Sequence, residues 1–195
     1  AAADGVYDGA VATAAAVRAS AKADHDAAYA AGEEPEWQQL QWALTAHEAT
    51  HTGAVTAATL IANAALQSAK TPYDAVADNP SSTQSEINAA LATRLIAVAA
   101  AVANHDNTVA AADAAKTNAD ADSWAAYHTA VNGLLTVYWN AEAASDAQET
   151  HAVNAAYVVW ANAVEAARSQ YSTAVSDADA QRTLADAQSE NEAWH

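Results

Sequence analysis

The apolar positions of this chain recur at steps of three and four residues over long stretches, the spacing that lines up one face of an α-helix. The clearest run is Val153, Tyr157, Trp160, Val164, Ala167, Tyr171, Ala174 and Ala178. Tyr7, Val11, Ala14, Arg18, Ala21, His25 and Ala28 form an earlier seam, and Trp37, Leu40, Leu44, His47, His51, Ala54 and Ala58 a second. A third reads Ile87, Leu91, Arg94 or Leu95, Val98, Val102, His105 and Val109, and a fourth Trp124, Tyr127 or His128, Val131, Leu135 and Tyr138. No strand pattern appears. Between the seams stand breakers. Gly32-Glu33-Glu34-Pro35 suits a helix stop and restart, with glycine at C′ and proline at N1. Residues 70–83 (KTPYDAVADNPSST) read as a loop, followed by a capping signature in Ser82-Thr83 and Glu86. Residues 116–123 are polar and read as a turn, and Ser145 or Asp146 can cap a last helix. The pattern predicts helices over 6–31, 36–69 and 86–115, a fourth from Trp124 and a fifth from about Gln148. They are joined at 32–35, 70–83, 116–122 and near 144–148. The repeat described next places a further turn near 182–189, but no Gly or Pro marks it, and a continuous helix to the C-terminus is the alternative.

Residues 87–129 align without a gap onto 153–195, an offset of 66. Ile87-Asn88-Ala89-Ala90 answers Val153-Asn154-Ala155-Ala156, and His105 answers Tyr171. A copy 80 residues upstream matches Tyr7, Val11, Thr13 and His25 to Ile87, Leu91, Thr93 and His105, the extra 14 residues being the loop 70–83. Such periodicity signals one supersecondary unit reused. The organisation expected is a helical-hairpin repeat over 1–69, a loop insertion over 70–83, a second hairpin over 84–147 and a partial third over 148–195. The fold class is all-α, an elongated antiparallel bundle of about five long helices; the alternative, a near-continuous coiled coil, is opposed by Gly32, Pro35 and the Pro72/Pro80 loop. The chain opens without a signal peptide or initiator Met and stops inside the third copy, which reads as a processed, excised or incomplete chain.

Composition changes this picture in two ways. Hydrophobic residues make up 52% of the 195, but alanine dominates them, and Phe, Met and Cys are absent. Alanine has the highest helix propensity and no side-chain entropy to lose, so the core should be thin, with six Trp and seven Tyr as fillers. The formal charge of -17, with a pI near 4.4, repels phosphate backbones and disfavours nucleic acid and anionic membrane surfaces. No uninterrupted apolar run reaches the roughly 18 residues of a membrane span. Absence of cysteine removes disulfides and thiolate metal sites.

Histidines supply the candidate chemistry. His47-Glu48-Ala49-Thr50-His51 fits HExxH, in which two histidines at i and i+4 hold zinc and the glutamate serves as base. The five residues resemble the zincin metallopeptidases. That family sets a strand beside its helix and supplies a third ligand, and neither is found here, so no hydrolase is expected. His25, His47, His51 and His105 all fall on apolar seams. Such a seam can hold zinc, another divalent metal or a tetrapyrrole between helices, or its histidines can hydrogen-bond neighbouring Thr, Asn or carbonyl groups. The second reading is favoured because Tyr171 takes the third-copy position. A di-iron carboxylate site, which needs two Glu-x-x-His pairs and two further Glu on separate helices, is not expected: Glu48 and His51 show that spacing, but Glu149 and His151 are two apart.

The segments KADHDAAYAAGEEPEW (22–37) and ARSQYSTAVSDADAQRTLADAQ (167–188) resemble, in composition, helical repeats of large secreted bacterial surface proteins. The resemblance covers most of the chain and transfers no catalytic residue. It implies a stalk, filament or surface-layer role at the cell surface or outside the cell. The function expected is therefore non-enzymatic. The partner is the chain itself, in an oligomer or filament aided by salt or divalent cations, since screening relieves the repulsion.

Overall fold

The structure, a computed structural model, describes residues 2–193, with side chains described through residue 186. Ala1, Trp194 and His195, and with them the end of the expected third repeat, lie outside the described residues. The described chain is all-α. It forms two helices, α1 (Ala2–Ala77) and α2 (Gln84–Ala193), joined by a single turn. Five helices were expected, and the joints at 32–35, 116–122 and 144–148 are helical instead. Residues 84–147, expected as a hairpin, lie within one uninterrupted helix, which also continues through 182–189.

Each failed joint has a local cause. Gly32 has no positive φ and does not cap a helix. It lies against Leu134, where a Cβ would come within 2.7 Å of Leu134 Cδ2. The glycine marks a close approach of two helices rather than a stop. Pro35 and Pro72 both stand inside α1. Proline has no N–H, so the carbonyl four residues earlier loses its helical partner, at a cost of about 3 kcal/mol. Alanine-rich flanks and the packing of the opposite face hold the helix through Pro35, whose own ring is exposed. The polar stretch after Ala115 is drawn into α2 by the Lys116–Asp120 ion pair, 2.7 Å and one helical turn apart. Ser145 and Asp146 do not cap a helix, because Asp146 is engaged by Arg18.

The true turn is shorter than the expected loop. Asp78 N–H bonds to the Asp74 carbonyl at 2.8 Å and Asn79 N–H to the Val76 carbonyl at 3.3 Å, closing α1. The Asn79 side chain accepts from Ser81 N–H at 3.0 Å, an Asx turn ahead of which no helix can continue. Then comes the capping box. Glu86 N–H donates to Thr83 Oγ1 at 3.3 Å, while Glu86 Oε2 accepts from Thr83 N–H at 2.7 Å and from its hydroxyl at 2.8 Å.

Contacts divide the chain into two units. Residues through Ala30 and from Leu135 onward form one, and Ala31–Leu134, with the turn, forms the other. In each, a segment of α1 lies antiparallel to a segment of α2. The covered positions do not follow the seven-residue spacing expected. They step by four, four and three: Ala21, His25, Tyr29, Gly32, Glu36, Leu40 and on to Tyr73 in α1, and Ala90 through Val164 in α2. Tyr157, a member of the expected seam, is 54% exposed, and Ala156 takes its place. An α-helix drifts roughly 20° per heptad against a 3.5 repeat, so a seven-residue stripe rotates away from its partner. Three turns per eleven residues, roughly 3.67 per turn, depart from 3.6 by less per residue and in the opposite sense. The offset of 66 is six such periods, so matched residues such as Val98 and Val164 occupy the same seam position.

The core is thin, as alanine content implied. Among the described residues the buried apolar ones are Ala14, Leu40, Ala58 and Ala101. Large apolar side chains stand in solvent, including Trp42, Ile61, Ile96, Val137 and Val159. One 18-residue window of α2 is apolar enough, by length and composition alone, to cross a membrane, and 6% of it is buried. It escaped a reading by uninterrupted runs because isolated polar residues break the run without lowering its average much.

Two substitutions test this account. Leu40→Ala should lower unfolding free energy by about 2–4 kcal/mol, since Leu40 is 3% exposed in a core of alanines. Pro35→Ala should raise it by up to about 3 kcal/mol through the restored hydrogen bond. Urea unfolding followed by far-ultraviolet circular dichroism reads both. A destabilised Pro35→Ala would show that the proline serves the fold in another way.

Candidate functional site

The eleven-residue spacing brings polar side chains from the two helices together at fixed intervals. His25 meets Glu142, with Nδ1 and Oε1 2.8 Å apart. Twenty-two residues further along α1 and twenty-two earlier in α2, His47 Nδ1 meets Asp120 Oδ1 at 2.9 Å. His51 Nε2 lies 2.6 Å from Asp113 Oδ1. His105 contacts Asp106 at 3.0 Å and Thr59 Oγ1 at 3.4 Å. Aromatic rungs obey the same interval. Tyr7 packs on Trp160 with centroids 6.2 Å apart, and Tyr29 on Tyr138 at 6.0 Å. Tyr73 lies under the Arg94 guanidinium at 5.0 Å in the matching position of the other unit.

The four seam histidines therefore face the opposite helix, as their sequence positions implied. Their bonding differs from expectation. Carboxylates, rather than carbonyl groups or Asn, take the first three. His25, His47 and His51 are each half-buried and each engage a different acid on α2. The HExxH residues lie on α1, but Glu48 faces Lys116 Nζ at 3.5 Å, and Lys116 also holds Asp120. The structure thus joins His47, Glu48, Asp120 and Lys116 into one charged cluster. Among the described residues, no three His, Asp or Glu side chains converge as a group that could hold a metal. His128, placed at a seam edge, stacks on Trp124 at 5.7 Å.

Sequence reasoning missed Glu142, the buried charged residue of the described chain, at 7% exposure. It accepts from Arg18 Nη2 at 2.6 Å as well as facing His25, and the Arg18 Nε–H reaches Asp146. The signal was present: Arg18 stood on an apolar seam, where a charge requires a partner. Lys22 was also overlooked. It bonds Asp26 at 2.9 Å and Tyr138 Oη at 3.2 Å, and the Tyr138 hydroxyl donates to Asp26 at 2.9 Å.

The electrostatics follow these pairs. The hydrogen bond with His25, and then that from Arg18, hold the Glu142 carboxyl below the usual glutamate range, against the opposing pull of desolvation. Lys116 first, then His47, lower Asp120. Lys22, then Tyr138, lower Asp26, and Lys22 itself is raised, mainly by Asp26. Chemically this is a ladder of saturated pairs. Each of the four seam imidazoles meets an acid, and Arg18 and Lys116 each bridge two carboxylates.

A second feature is apolar. Where α1 begins, Val6 and Tyr7 together with Val159, Trp160, Val164 and Tyr171 of α2 line an open groove floored by alanines. Trp160 Nε1–H donates to Asp4 across it at 2.9 Å. No protein-family model matches the chain, no curated protein matches it, and no solved structure matches it.

Acid should dissolve the ladder in a defined window. A carboxylate lowered by folding stabilises the native state above its unfolded value, near 4.5 for glutamate, and that contribution disappears as pH falls through the folded value. The gap in urea midpoint between the native protein and Glu142→Gln should be full at pH 5 and above and should shrink steadily below pH 4.5. A gap independent of pH from 5 to 2 would show that the carboxylate charge contributes nothing.

Proposed function

We propose that this chain is a non-enzymatic structural module that assembles with copies of itself. The observation that carries the reading is the exposure of large apolar side chains on an alanine-rich helix pair. Val6, Val17 and Val159 are each more than half exposed and border the alanine grooves of one unit. Contiguous exposed apolar surface of this kind marks an interaction face. The polar side chains between the helices are matched to one another, which suits a scaffold. A filament, stalk or surface-layer subunit at the cell surface fits the alanine-rich texture of the sequence.

The apolar window in α2 favours one rival. A lipid bilayer would also cover an exposed apolar stretch of this length. The two readings separate in solution. The assembly reading expects sedimentation velocity to show a concentration-dependent shift to larger species, stronger in 0.5 M salt or millimolar calcium than in low salt, because screening relieves the repulsion of -17 charges. A monomer at every concentration and salt level, floating with neutral phosphatidylcholine vesicles, would replace assembly with membrane association.

A further inference from the structure

We draw no further inference here: the strongest candidate, the exposed apolar surface of the unit that holds the turn, where Leu60 and Ile61 of α1 and Leu91, Leu95, Ile96 and Val102 of α2 stand in solvent, carries none, because nothing in the structure shows what covers it.

Discussion

Everything in this molecule depends on keeping two very long helices in phase while almost nothing large is buried between them. A thin alanine interface gives little hydrophobic energy per turn, since the apolar area removed from water sets that term. It also gives little discrimination between one alignment and the next. Interhelical pairs with direction and charge hold the two helices to steps of eleven residues. His25 with Glu142 and His47 with Asp120 are the same rung twenty-two residues apart, and Tyr7 with Trp160 and Tyr29 with Tyr138 are another.

Helix formation itself was legible in the sequence. Alanine content, the absence of strand alternation and the Thr83–Glu86 signature all led to helices and to one secure turn. The positions of histidine on the covered face were legible too. The number of helices was not. Gly32, Pro35, Pro72 and the polar stretch at 116–122 carry the local marks of helix ends, and local marks decide only when packing is indifferent. Here the opposite face of each segment is engaged by the other helix: Gly32 by Leu134, Tyr73 by Arg94, and Lys116 and Asp120 by Glu48 and His47. That engagement offsets a missing hydrogen bond at a proline.

The period was misread for a related reason. Where nearly every residue is alanine, steps of three and four can be threaded through a helix in more than one way. Tyr157 and Val102 are large enough to attract a seam that leaves them in solvent. The discriminating residues were polar ones. A carboxylate at 142 or an arginine at 18 can occupy a covered position only if its counterpart arrives on the other helix, and pairing those charges would have fixed the eleven-residue step. The offset of 66, visible from the start, is a multiple of eleven and not of seven.

The turn at Asp78–Thr83 has a consequence for how the chain reaches this state. Equivalent rungs spaced along both helices are interchangeable partners, so a pair of free helices could align in several registers, each satisfying many of the same contacts. A tether of six residues selects among them by geometry, because only one alignment begins at the turn. Pairing that starts there and advances rung by rung closes a small additional loop at each step, whereas pairing begun at the far ends must first close a loop of well over a hundred residues. The Asx turn and capping box thus act as a nucleation point and a register stop together, in a molecule whose middle holds no memory of where it is.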